Sequence, residues 1–169
     1  VPIFEVIPKT SNVLSEEAAY VTLNLMEGVT NYGSGGRLRH SGLEKTSYIY
    51  KNLITGYPYE FKNAIAGKTG TTQNQSDGWF MGMVPNLVTG VWVGGEDRSV
   101  HFEDIAFGQG ATMALPIWAQ FMKNAYSNPD LGISDEKFQS PRVLTIPLNC
   151  ENLNIENEIK KQDLEDLGF

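Results

Sequence analysis

Three closely spaced apolar runs, Ala64 to Thr72, Gly78 to Val84 and Leu87 to Gly94, stand out along the chain, each rich in β-branched, aromatic or small residues. They are bounded by turn formers, Gln73-Asn74-Gln75-Ser76-Asp77 and Pro85-Asn86, and so predict three consecutive strands. A connection as short as Pro85-Asn86 forces the second and third strands into an antiparallel hairpin. In the second run Trp79, Met81 and Met83 alternate with Phe80, Gly82 and Val84, so both faces are apolar and this strand is expected to be central.

Two other stretches repeat at helical spacing. Ser15 precedes Glu16 and Glu17, an N-cap hydroxyl followed by acids in the first turn, and Ala18, Val21, Leu25 and Val29 then form a stripe expected to face the core. This helix should stop near Asn31, because Gly33-Ser34-Gly35-Gly36 reads as a flexible run with little helix propensity. Ala114, Ile117, Trp118, Phe121, Met122 and Ala125 predict a second helix that begins close to Pro116 or slightly before it and ends at Asn128-Pro129. Val1 to Pro8 suits an edge strand or an extended lead-in. Arg37 to Lys62, where Tyr48, Tyr50, Tyr57, Tyr59 and Phe61 are spread among polar residues, reads as a loop region near a surface groove. The order strand, helix, three strands, helix predicts an α+β domain, an antiparallel sheet with packed helices, over residues 1–149. Residues 150–169 read as a solvated acidic tail.

Composition narrows the partners more than the fold. The 169 residues suit one domain, and the net charge of -7 speaks against nucleic acid or an anionic membrane surface, since the 13 Lys and Arg are scattered. The lone Cys150 cannot form an internal disulfide, and neither a membrane-spanning run nor a signal peptide is visible. Val1-Pro2-Ile3-Phe4 already reads as strand, so either export is not involved or a targeting segment lies upstream. No metal or cofactor is expected: His40 and His101 are far apart, and no pair of ligands has the spacing a helix needs to share an ion.

The candidate chemistry lies in the first strand. A cation between glycines, Gly67-Lys68-Thr69-Gly70, is an unusual strand, although a lysine stem packed on the sheet with its ammonium in water is the commoner reason for such a residue. Side chains alternate, so Lys68 faces one way while Thr69 and Thr71 share the other face. Two hydroxyls beside a cation would seat a carboxylate. Gly67 and Gly70 would let a ligand or another backbone approach, and an extended peptide could lie alongside as an added strand.

Ala66-Gly67-Lys68-Thr69-Gly70-Thr71-Thr72, Asp77-Gly78-Trp79-Phe80-Met81-Gly82 and Leu87 to Gly94 together resemble the C-terminal half of the transpeptidase domain of class A penicillin-binding proteins. The helices at Leu14 to Tyr20 and Ala114 to Met122 resemble those flanking that motif, and the likeness runs in order from about Val1 to Pro141. The family's three motifs are Ser-x-x-Lys, Ser-x-Asn and Lys-Thr-Gly, and its mechanism is acyl transfer through a serine ester. Only the third motif has its counterpart here. No Ser-x-Asn occurs, and Ser134-Asp135-Glu136-Lys137 falls after the Lys-Thr-Gly strand, where it reads as a chance match.

The resemblance implies a penicillin-binding-protein or serine β-lactamase-like transpeptidase fold and assigns roles position by position. Lys68 would supply positive charge and bond the absent Ser-x-Asn serine; Thr69 and Thr71 would hold the terminal carboxylate of a D-alanyl-D-alanine stem peptide or of a β-lactam. The Thr71 backbone N–H would be one of two oxyanion donors, with Gly70 and Thr72 beside the substrate. Asp77, Trp79 and Phe80 match the family but are expected to be structural. The implied partners are peptidoglycan stem peptides, β-lactams and the upstream half of the same protein. The implied location is the periplasmic face of the bacterial inner membrane, held by an anchor outside this segment. A fragment of a β-lactamase or D,D-carboxypeptidase, or a non-catalytic peptide-binding module, are the alternatives.

Overall fold

A computed structural model of the chain describes residues 11–39 and 57–148. The expected lead-in strand at Val1 to Pro8, Tyr48, Tyr50, His40, Cys150 and the acidic tail lie outside the described residues. The chain divides into two compact units, one of residues 1–22 with 140–169 and one of residues 23–139.

Helix α1 is Glu16–Asn31. Its start is capped as the sequence predicts, with the Ser15 hydroxyl accepting the Ala18 N–H at 3.1 Å. In the first unit the Glu17 carboxylate accepts the Thr145 hydroxyl at 2.8 Å and the N–H groups of Thr145 and Ile146. Those donors hold its pKa below the ordinary carboxylate value.

The second unit carries the sheet. Strands β1 (Ala66–Thr71), β2 (Asp77–Val84) and β3 (Leu87–Gly94) are antiparallel in the order β1-β2-β3, so β2 is central as its two apolar faces require. The β1 to β2 register sets Thr69 opposite Phe80 and Lys68 opposite Met81; from β2 to β3, Phe80 faces Val91 and Trp79 faces Trp92. Beyond β3 come a single turn of helix, α2 (Ile105–Gly108), and the long helix α3 (Gly110–Tyr126). The fold is α+β.

Helix α3 covers one face of the sheet through a close fit of ring against glycine. A Cβ on Gly82 would come within 2.4 Å of the Trp118 ring, so only glycine lets that indole pack this closely against β2. Phe80 meets the same ring edge-on at a centroid distance of 5.1 Å, and the Trp118 Nε1–H donates to the Thr89 hydroxyl at 2.6 Å. Leu38, Ile65, Leu115 and Met122 complete this core.

Several expectations from the sequence need correction. Helix α3 begins at Gly110, six residues before Pro116, because the Gln109 carbonyl accepts the N–H groups of Thr112 and Met113 and starts the ladder there. Its buried face is Ala111, Ala114, Leu115, Trp118, Ala119, Met122 and Ala125, while Ile117 and Phe121 point to solvent. Leu25 of α1 is 70 % exposed, since the side of α1 that is buried is the one carrying Thr30. Gly33 to Gly36 is not a loose run: Gly33 N–H donates to Gly28 O, Gly35 N–H to Val29 O and Gly36 N–H to Gly33 O, which folds the segment back over the helix end. Tyr59 and Phe61 are more deeply buried than a loop reading suggests, held in the core by the Phe61 N–H to Leu38 O bond and by Arg39 Nη1 donating to the carbonyls of Phe61 and Asn63. They also line a surface groove with Lys123, Tyr126 and Asp135, as the sequence reading expects.

Candidate functional site

The outer edge of β1 has no strand beside it among the described residues. Which backbone groups point there follows from the ladder. Thr72 N–H donates inward to Asp77 O at 3.1 Å, and in an antiparallel pair inward and outward residues alternate. Lys68 and Gly70 therefore share the inward set, whereas the N–H and C=O groups of Gly67, Thr69 and Thr71 face the open edge.

Lys68 is exposed and lies on the face opposite α3, yet its ammonium turns to the edge, where Nζ donates to the outward Thr69 carbonyl at 2.6 Å. An ammonium carries three donors, so two remain beyond that bond. On the other face, the Thr69 and Ser34 hydroxyl oxygens lie 2.6 Å apart, joining the turn after α1 to the middle of β1. Thr71 Oγ1 accepts the Gly110 N–H at 3.0 Å and so satisfies the first N–H of α3, while its own hydroxyl proton stays free for a ligand. The edge thus gathers an ammonium, two hydroxyls and outward N–H groups within one strand.

Three contacts fix that strand in place. The buried Thr30 hydroxyl donates to Ile65 O at 2.5 Å and ties the last turn of α1 to the entry of β1. Gly110 lies directly over the Gly70 and Trp79 pair; a Cβ there would stand 2.2 Å from Gly70 O. At the far end, Thr72 and Asp77 bond reciprocally: the Thr72 hydroxyl donates to Asp77 Oδ2 at 3.0 Å, and Asp77 N–H donates to Thr72 Oγ1 at 2.9 Å. Asp77 also accepts the Trp92 Nε1–H at 3.0 Å and the Ser76 hydroxyl at 3.2 Å. The Trp92 and Thr72 donors hold its carboxyl below the ordinary range, with Arg98 4.0 Å away adding to the effect. Thr72 is therefore a support of the β1 to β2 turn, its one proton committed to Asp77.

Ser134, of the lone Ser-x-x-Lys match, accepts the Glu136 N–H with its hydroxyl and the Tyr126 hydroxyl with its carbonyl, the contacts of a turn. A separate groove of about 490 Å³ beside Leu87, Phe121 and Ile133 is lined by no titratable side chain. Among the described residues, no three His, Cys, Asp or Glu side chains gather as metal ligands would. No helix among them is long and apolar enough to cross a membrane.

The chain is similar in sequence to named relatives. Penicillin-binding protein 1A of Aquifex aeolicus is 35 % identical over 97 residues, which is 56 % of this chain and 12 % of that protein. Penicillin-binding protein 1A of Clostridium tetani is 31 % identical over 119 residues, 70 % of this chain and 13 % of that protein. Penicillin-binding protein 1B of Buchnera aphidicola is 31 % identical over 153 residues, 90 % of this chain and 16 % of that protein. The chain is homologous to a segment of the class A penicillin-binding proteins. No protein-family model matches it.

In this penicillin-binding-protein segment, Lys68, Thr69, Gly70 and Thr71 are consecutive residues of one edge strand, Thr69 and Thr71 turning their backbone groups outward and Lys68 and Gly70 turning theirs toward β2, and Thr72 adjoins them at the turn. Sequence reasoning gave no part to Thr30 or Gly110, and met Ser34 only as a mild departure from the Gly-Thr-Gly that the resembled family more usually has after the helix, with no role assigned to it. Ser34 stands next to β1 because Gly33 and Gly35 pass against Val29, where a Cβ would come within 3.0 and 3.2 Å of that residue's backbone. The glycines were a visible signal, and they mark a close approach instead of slack.

Proposed function

We propose that this chain supplies the carboxylate- and oxyanion-binding wall of a serine D,D-transpeptidase that cross-links peptidoglycan and is acylated by penicillins. The observation that carries the reading is the β1 edge, where the Lys68 ammonium meets the outward Thr69 carbonyl while the Thr69 and Thr71 hydroxyls flank the outward Thr71 N–H. Homology to penicillin-binding proteins 1A and 1B supports it. The chain spans between 12 % and 16 % of the lengths of those relatives; in this reading the nucleophile is supplied by a part of the protein outside it.

In this reading a serine of that half attacks the carbonyl of the penultimate D-alanine. Negative charge collects on the carbonyl oxygen, where the Thr71 N–H donates to it; one such donor is worth about 3 kcal/mol of barrier. Thr69 and Thr71 hold the terminal carboxylate, and Lys68 adds the positive charge that favours an anion at this edge. The C–N bond breaks, D-alanine leaves with a proton, and the acyl group passes to the amine of a second stem peptide. A β-lactam reacts in the same way, except that its leaving nitrogen stays tethered. Thr72 acts through the turn it braces. The protein works at the periplasmic face of the inner membrane, anchored by a segment outside this chain.

The test joins this chain to an upstream half bearing Ser-x-x-Lys and follows covalent uptake of a labelled penicillin. Lys68→Gln should slow acylation on the order of 10²-fold, the scale of losing an electrostatic contact made to developing charge. Unchanged acylation would overturn the assignment of Lys68. Slow release of the acyl group is expected, and rapid turnover would convert the reading into a β-lactamase.

A further inference from the structure

The Ser34 and Thr69 hydroxyls pose a question of proton direction. Each carries one hydrogen, and at 2.6 Å one of the two must donate to the other. If Thr69 donates to Ser34, its only proton is spent and it offers an arriving carboxylate nothing but lone pairs. If Ser34 donates to Thr69, the Thr69 proton is released toward the open edge. A carboxylate can only accept, so it binds the second arrangement alone.

We infer that Ser34 is a positioning residue for substrate recognition: its hydroxyl donates to Thr69 Oγ1 and thereby aims the Thr69 hydroxyl at the carboxylate of the stem peptide or β-lactam. The inference rests on the transpeptidase reading above and adds a residue outside the Lys-Thr-Gly strand. Its geometry is built rather than incidental. Gly33 and Gly35 pass within 3.0 and 3.2 Å of the Val29 backbone, measured from where a Cβ would stand, and this close passage brings the serine between them up to β1. Thr30, four residues before Ser34, is bonded to Ile65 O at 2.5 Å, so the turn and the strand are fixed to each other just beside the pair. A chain of two hydroxyls ending on an anion is also polarised along its length, which strengthens the terminal bond.

The experiment compares acylation rates of the joined protein with benzylpenicillin and with its methyl ester, which lacks the carboxylate. Ser34→Ala should slow acylation by benzylpenicillin about 5-fold, the worth of roughly one net hydrogen bond, and change the ester rate less than about 2-fold. Ser34→Thr, which keeps the donor, should restore the wild-type preference. An equal fall with both compounds would show Ser34 to be merely structural, and no fall with benzylpenicillin would show it to be idle; either overturns the inference. Thr69→Val separates this from the reading beneath it. If Thr69→Val leaves the preference for the free carboxylate intact, the carboxylate seat itself is misassigned. If Thr69→Val abolishes the preference while Ser34→Ala does not reduce it, only the positioning role fails.

Discussion

The two halves of β1 differ although they share one ladder. Ala66 and Gly67 are buried beneath Thr30 and Phe80, while Lys68 is exposed and Thr69, Gly70 and Thr71 line an edge that no described strand covers. The first half is shaped by what lies on top of it. The second half is held from outside, by Gly110 and the Thr72 and Asp77 pair, so that its own polar groups remain available. Stability and recognition are thus assigned to adjacent residues of one strand, and substitutions should separate them.

The largest effect is expected beneath the first half. Phe80→Ala removes a fully buried ring that meets Trp118 at 5.1 Å, and should cost about 3 to 5 kcal/mol in denaturant unfolding. Next come the two glycines of the motif. A Cβ on Gly67 would stand 2.9 Å from both Met81 O and the Phe80 ring, and Gly67→Ala should cost about 1 to 3 kcal/mol. On Gly70 the nearest atom is the Trp79 Cβ at 3.1 Å on the exposed face, so Gly70→Ala should cost clearly less. Equal losses would erase the distinction between the halves. Thr30→Val keeps the shape but leaves the buried Ile65 carbonyl without its donor, an expected loss of about 1 to 3 kcal/mol by the same measurement.

Asp77 sharpens the comparison through pH. Its folded-state pKa is depressed by the Trp92 and Thr72 donors, so the stabilisation it gives is complete above the ordinary carboxylate value of about 4 and is lost as pH falls through the folded-state value. The stability gap between wild type and Asp77→Asn should therefore be widest near neutral pH and close in acid; a gap independent of pH would show that the charge is not what braces the turn. The smallest expected effect is on the stability of the open half, where Thr69→Val should stay within about 0.5 kcal/mol of wild type.

How far the sequence could be read depended on how local the cause was. Alternation along Trp79 to Val84 and the short Pro85-Asn86 link were enough for a central strand and its hairpin, because both depend on neighbours in sequence. The Ser15 cap was legible for the same reason. The start of α3 was not, since Gly110 is selected by Gly70 and Trp79, some 30 to 40 residues away, and by the Thr71 hydroxyl that takes its N–H. Gly33 to Gly36 looked slack because glycine permits both freedom and close packing, and only the contact with Val29 decides between them. In the same way, Lys-Thr-Gly identified the strand, while the tilt of the Lys68 ammonium to the edge and the Ser34 partner of Thr69 depend on three-dimensional proximity.

The central claim is that this chain holds the recognition wall of an acyl-transfer site whose nucleophile lies in another segment. The most direct test treats the isolated chain and the chain joined to its upstream half with a labelled penicillin and maps the attached label by peptide mass. The account predicts no stable adduct on residues 1–169 alone and, in the joined protein, one labelled serine in the upstream half. A stable acyl-enzyme on the isolated chain, at Ser134 or any other residue, would contradict it.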